Sequence, residues 1–188
     1  MREIEIKLKA KNFENLEKSL NDKGVLLSIP ITQHDVIYTL NNSTKEFDVA
    51  EENDVVIRIR YLKDRAILNL KKQCSSESDN LEYETEVKEP EQIHSILLTL
   101  GWKPIVEVKK IRREGKLGDY EICLDQVEKL GNFVELEKLA ADDVNPEEIR
   151  EELFRELETL GLSRNDEETR GYDTQMYQLG LTLLSSPI

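Results

Sequence analysis

Near the start of the chain, Glu3-Ile4-Glu5-Ile6-Lys7 alternates strictly between charged and apolar residues. Successive side chains of a β-strand point to opposite faces, so Glu3, Glu5 and Lys7 share one face and Ile4, Ile6 and Leu8 the other. One such strand is ordinary amphipathic surface. The pattern recurs, however, at Arg58-Ile59-Arg60, Glu84-Thr85-Glu86, Lys110-Ile111-Arg112 and Glu135-Leu136-Glu137. Charged pairs of both signs on many strands imply a common cavity. Carboxylates and cations in one cavity suit a divalent metal and a polyphosphate.

The rest of the chain supports this reading. Residues 2–9, 31–40, 55–62, 66–72, 82–88, 104–112, 117–125 and 132–138 read as strands. Residues 55–62 and 66–72 form a hairpin around Lys63-Asp64, and Gly115, Gly118 and Gly131 punctuate the later strands. The first helix starts with Asn12 as N-cap and ends at Gly24. The second starts at Pro90, carries Ile93, Ile96, Leu97 and Leu100 as its apolar stripe, and ends at Gly101. The third has Asn145 as N-cap, Pro146 at its first position, a stripe of Ile149, Leu153, Leu157 and Leu160, and Gly161 past its end. A short element follows at 172–179. Residues 41–54 read as a long connection, 73–80 as a mobile polar loop, and 180–188 as a disordered tail after a single domain, 1–179.

Eight strands that mostly follow one another predict an α+β fold: an eight-stranded antiparallel β-barrel with helices packed outside. The helices need an apolar surface, and the outer strand face offers one. The charged faces then point inward. Unpaired buried charge is very costly, so such an interior holds water, ligand or metal. Strand 104–112 is less clean, because Val106 and Val108 share parity with Lys110 and Arg112. Its charged face begins only partway along.

Composition narrows the function. The 188 residues carry a net charge of −13, which argues against nucleic-acid binding but not against a small polyphosphate in a local basic pocket. No apolar run spans a membrane and no signal-peptide core opens the chain, so a cytoplasmic protein is expected. Cys74, Cys123, His34 and His94 are too few for a disulfide scaffold or zinc spacing. A metal would be held by carboxylates, which favours Mg²⁺ or Mn²⁺. No P-loop and no Ser/His/Asp or Cys/His set is present. Glu147, Glu148, Glu151, Glu152 and Glu156 read as a solvated helix face, with Glu151 and Arg155 as an i,i+4 pair. Trp102 and Tyr120 read as packing residues, and Lys9 and Glu121 as surface.

Glu3-x-Glu5-x-Lys7, with the acidic and basic pairs downstream, resembles the CYTH superfamily of triphosphate tunnel metalloenzymes. Ile122-Cys123-Leu124-Asp125, the run Leu130–Glu137 and Arg170-Gly171-Tyr172 are similar to its class IV adenylyl cyclase branch, over about residues 2–179. The resemblance implies an eight-stranded tunnel that binds triphosphate with divalent metal. It places Glu3, Glu5, Glu135, Glu137 and Asp125 at metal-binding positions. It places Lys7, Arg58, Arg60, Lys71, Lys110 and Arg112 at triphosphate-binding positions, and Glu84 and Glu86 at further acidic tunnel positions. Three departures stand out. Glu82 occupies a position that is often Arg, Gly171 replaces Ser, and Asp35-x-x-Tyr38 replaces D-x-Y, which reads as a bulge or a shifted register. Asp35 and His34 are given no role.

The nucleophile decides the reaction. Attack by the ribose 3′-hydroxyl of ATP on the α-phosphorus gives cyclic AMP and pyrophosphate; attack by water makes the protein a triphosphatase. A third reading is a non-catalytic polyphosphate or nucleotide binder, against which the full acid set speaks. No general base is named. The family includes dimers, so a homodimer is expected.

Overall fold

The computed structural model describes residues 2–40, 47, 52–141 and 143–183. In chain order they form β1 (Arg2–Ala10), α1 (Glu14–Asp22), β2 (Ile31–Leu40), β3 (Val55–Tyr61), β4 (Ala66–Ser76) and β5 (Asp79–Val87). Then come α2 (Pro90–Thr99), β6 (Trp102–Leu117), β7 (Tyr120–Val127), β8 (Gly131–Ala140), α3 (Pro146–Thr159), a 3₁₀ turn at Arg164–Asp166 and α4 (Tyr172–Gln178). All strand pairs are antiparallel, and the sheet closes in the order β1-β5-β4-β3-β2-β6-β7-β8. The seam that closes the ring is short, since β1 and β5 pair only from Arg2 opposite Leu81 to Ile4 opposite Asp79. No described helix is long and apolar enough to cross a membrane.

The alternation in β1 sorts as its sequence implies. Ile4, Ile6 and Leu8 are buried outside the barrel with Leu16 and Leu20 of α1 and Leu153 and Leu157 of α3. A second outer cluster joins Tyr38 of β2 and Ile59 of β3 to Leu97 of α2. The third cluster lies on the inner face: Ile37, Val106, Val108, Val127 and Phe133 meet Tyr172 and Met176 of α4. Three helices thus pack outside, while α4 seats against one end of the interior. The apolar start of the 104–112 strand is that seat.

Several local expectations change. Residues 73–80 are a tight hairpin rather than a mobile loop, because the buried Asp79 carboxylate accepts from Ser75 N and Oγ and binds Arg2 of β1. Gly115 does not interrupt a strand but sits inside β6, where residues 25–26 cross it closely. A Cβ there would lie 2.9 Å from Val25 Cγ1 and 3.0 Å from the Leu26 carbonyl oxygen. The first helix is entered through Phe13, without a side-chain cap, rather than Asn12. In α2, Ile93 and Leu97 pack inward, whereas Ile96 and Leu100 are exposed, since a ten-residue helix touches the barrel along one narrow face. Glu151 pairs with Arg164 at 2.7 Å instead of with Arg155.

The third helix forms as expected, the Asn145 side chain accepting from Glu147 N. Trp102 and Tyr120 pack in the outer clusters. In β2–β6 the register shifts, Ile37 facing Val106 and Tyr38 facing Pro104, so Ile105 is the extra residue of a bulge. Most of the 41–54 connection lies outside the described residues. So do residues 184–188 of the expected tail; Thr182 forms a bridge with Val106.

Candidate functional site

The inner strand faces enclose a cavity of about 500 Å³. Glu3, Glu5 and Lys7 reach it from β1, Arg58 and Arg60 from β3, and Lys71 from β4. Glu84 of β5, Lys110 and Arg112 of β6, and Glu135 and Glu137 of β8 complete the predicted set on its wall. Asp125 is fully buried beside them. Glu86 stands apart, with a 61% exposed side chain 3.6 Å from Arg65. Among the described residues, twelve carboxylates and seven cationic side chains line the cavity.

Most of the cations are held by acids. The Arg60 guanidinium donates to both Asp35 oxygens at 2.8 and 2.9 Å, and Arg58 lies 3.6 Å from the same carboxylate. Burial alone would raise the Asp35 pKa, but Arg60 and Arg58 hold it well below the usual range. Arg112 donates to Asp125 at 2.7 and 2.6 Å and also to Glu135, while Lys110 donates to Asp125 at 2.8 Å. Tyr172 OH adds a 3.1 Å bond to Asp125. Burial opposes ionisation of Asp125 too, and Arg112 and Lys110 again outweigh it. Lys71 lies 2.9 Å from both Glu3 and Glu82. Lys7 is 3.8 Å from Glu5, with its ammonium 4.8 Å from the centre of the Tyr172 ring.

One group of carboxylates has too few cations. Oxygens of Glu5, Glu135 and Glu137 lie within 4.8 Å of one another. Burial, then the Glu3 charge, push the Glu137 pKa well above normal. Three converging carboxylates form an all-oxygen donor set that fits a hard divalent cation. Glu3, beside them, is raised to about 7, chiefly by burial, with Lys71 pulling it back and Glu82 adding to it.

These shifts predict a pH effect. Glu3 ionises near 4.5 when unfolded and near 7 when folded, so between those values the folded state binds more protons. Stability must therefore fall as pH rises through this window, by on the order of 3 kcal/mol for Glu3 alone. Glu137 acts in the same direction. Asp35, Asp125, Glu82 and Glu135 are shifted down and act in more acidic solution. Urea unfolding at a series of pH values should show the decline, and Mg²⁺ should reverse it by binding the ionised carboxylates. A flat profile in metal-free buffer would contradict it.

The sequence reading assigned Asp35, Glu82 and Asn69 no site role, and Tyr172 entered it only as part of the Arg170-Gly171-Tyr172 motif, as a structural residue. Asp35 is 3% exposed and locked to two arginines. Glu82 is bound by Lys71, Arg58 and Asn69. Its parity with Glu84 was the available signal, as was that of Asn69 with Lys71. Tyr172 packs edge-on against Phe133, their ring centres 5.0 Å apart. Glu121, read as surface, lines the cavity. His34 faces outward, 3.3 Å from Glu107.

Comparison with known proteins agrees with this architecture. A Methanocaldococcus jannaschii protein provisionally named an adenylate cyclase is 29% identical over 168 residues, 88% of this chain and 93% of that protein. The structure of the PH1819 protein from Pyrococcus horikoshii superposes with a TM-score of 0.78 at 25% identity, over 94% of this chain and 99% of that one. A Hippeastrum protein, provisionally an adenylyl cyclase and described as having a dominant triphosphatase activity, shares the fold. It has a TM-score of 0.62 at 17% identity and covers 97% of both chains. The CYTH domain model matches residues 1–172, and the chain belongs to the CYTH family.

Proposed function

We propose that this protein is a metal-dependent adenylyl cyclase that converts ATP to cyclic AMP and pyrophosphate inside the barrel. The observation that carries the metal-dependent triphosphate reading is the charge of the cavity wall, on which carboxylates outnumber cations. Such a wall repels a free polyanion and accepts it together with divalent cations. The name of the archaeal relative supports the choice of cyclase.

In this reading Glu5, Glu135 and Glu137, with Glu3 beside them, hold Mg²⁺ or Mn²⁺. The metal would supply charge neutralisation on the triphosphate and the leaving pyrophosphate. Lys7, Arg58, Arg60, Lys71, Lys110 and Arg112 bind phosphate oxygens, the arginines through their planar forks. Asp35 and Asp125 orient those forks. Asp125 was expected among the metal ligands, but its oxygens are engaged by Lys110, Arg112 and Tyr172, which fits the orienting role better. Glu84 and Glu86 stand towards the rim, Glu86 with the smaller part. Phosphoryl transfer gains mostly from such positioning and charge stabilisation.

One observation favours a triphosphatase as the second reading. The Tyr172 ring on the wall already has the Lys7 and Lys110 ammonium groups over it, 4.8 and 5.1 Å from its centre, in the place where an adenine base would stack. Product analysis decides between the two. The purified chain is incubated with Mg²⁺ or Mn²⁺ and, separately, ATP, inorganic triphosphate and thiamine triphosphate. Cyclic AMP with pyrophosphate is the expected product from ATP. Free phosphate without cyclic AMP would replace the cyclase by a triphosphatase.

A further inference from the structure

We propose a second metal subsite in the barrel wall, built from Cys123, Glu114 and Glu121, that takes a thiophilic divalent cation such as Zn²⁺ or Cd²⁺. The sheet register creates it. Glu114 of β6 stands directly opposite Cys123 of β7, and Glu121 lies two residues along β7 on the same face. The Cys123 sulfur and one oxygen of each carboxylate lie within 4.8 Å of one another.

The cysteine is the independent sign that this is more than two acids on a rim. Cys123 is a free thiol, fully buried, and has no hydrogen-bond partner among the described residues. Its neighbours Ile122 and Leu124 face outward into the apolar layer beneath the helices, so Cys123 points the other way, into the charged wall. A buried thiol packs as a small apolar group until a soft cation displaces its proton, and here it faces two carboxylates that would share that cation. The Glu114 side chain likewise has no ion-pair partner among the described residues, while Glu121 holds Lys116 at 2.8 Å.

The donor set sets the preference. One sulfur and two carboxylates favour a borderline or soft cation and leave a coordination position for water or ligand. The Glu5, Glu135 and Glu137 group offers oxygen alone and favours Mg²⁺ or Mn²⁺. The two groups adjoin, because Glu121 pairs with Glu137 across β7 and β8. A thiophilic cation at Cys123 therefore lies beside the carboxylates proposed to hold Mg²⁺ or Mn²⁺ and inhibits the turnover that those hard cations support.

The test does not depend on the reaction. Cd²⁺ is titrated into the full chain, and the ultraviolet charge-transfer band of a Cd–thiolate bond is followed. One equivalent per chain should generate the band. Cys123→Ser should abolish it, while Cys74→Ser and Glu137→Gln keep it. The Glu114→Gln/Glu121→Gln pair should weaken Cd²⁺ affinity about tenfold or more. This pair decides the matter should Cys123→Ser fail to fold. No band, a band that follows Cys74, or unchanged affinity in the paired variant would overturn the proposal. Failure of the cyclase reading would leave the band untouched.

Discussion

Glu5→Gln is expected to lower metal-dependent turnover about 10³-fold with little change in stability. Glu5 is 8% exposed and projects from β1 into the group it forms with Glu135 and Glu137. Glutamine preserves its volume, keeps one acceptor oxygen and replaces the other by an NH2 donor, and the strand stays anchored because Ile4 and Ile6 face the other way. What disappears is one negative charge among the three converging carboxylates. The variant should need far more Mg²⁺ or Mn²⁺ to reach its residual rate, so the loss appears as a shifted metal titration as well as a lower plateau. Turnover against metal concentration, with thermal unfolding as the fold control, measures both. Full activity at the usual metal concentration would remove Glu5 from the metal site.

Arg112→Ala should cost about 3–5 kcal/mol of folding stability at neutral pH. Arg112 touches Asp125 and Glu135 and approaches Glu137 to 3.9 Å, with all four groups buried or nearly so. Without it, Lys110 faces these carboxylates almost alone. Despite burial, Arg112 now helps hold the Asp125 and Glu135 pKa values below normal. In the wild type their stabilisation is present above the unfolded pKa and is lost in acid. In the variant, burial would dominate and push both values upward, so the deficit should shrink as acid protonates the carboxylates. Urea unfolding at pH about 7 and about 4.5 tests this. A loss below 1 kcal/mol at neutral pH would mean that the wall tolerates the bare charges.

Strand parity carried most of the fold. The alternation at Glu3–Lys7 correctly separated wall from core, and the apolar interruption at Val106 and Val108 marked where the charged interior gives way to the seat of α4. Capping chemistry at Asn145 and Pro146 placed α3. Depth along the barrel was not legible. Glu82, Glu84 and Glu86 share one face of β5, yet the first is deep in the wall and the last is at its rim. Strand tilt and stagger set that depth, and they emerge only when all eight strands close. The Asp79 hairpin escaped for a related reason: the partner that orders it, Arg2, is 77 residues away. Asp35 was passed over because its spacing to Tyr38 departed from the family pattern. The bulge at Ile105 lies on the facing strand, and Tyr38 turns outward to bond His94 at 2.8 Å.

The paired state of the wall has a bearing on how ligand enters. Arg58, Arg60, Lys71, Lys110 and Arg112 each already have a carboxylate counter-ion. The barrel interior is therefore a loaded ion exchanger. An anion arriving at Arg60 would meet a guanidinium whose charge Asp35 already balances, so it would compete with an Asp35 oxygen rather than with water. Because these five cations would keep a counter-ion throughout such an exchange, the cost of a bare buried cation is avoided.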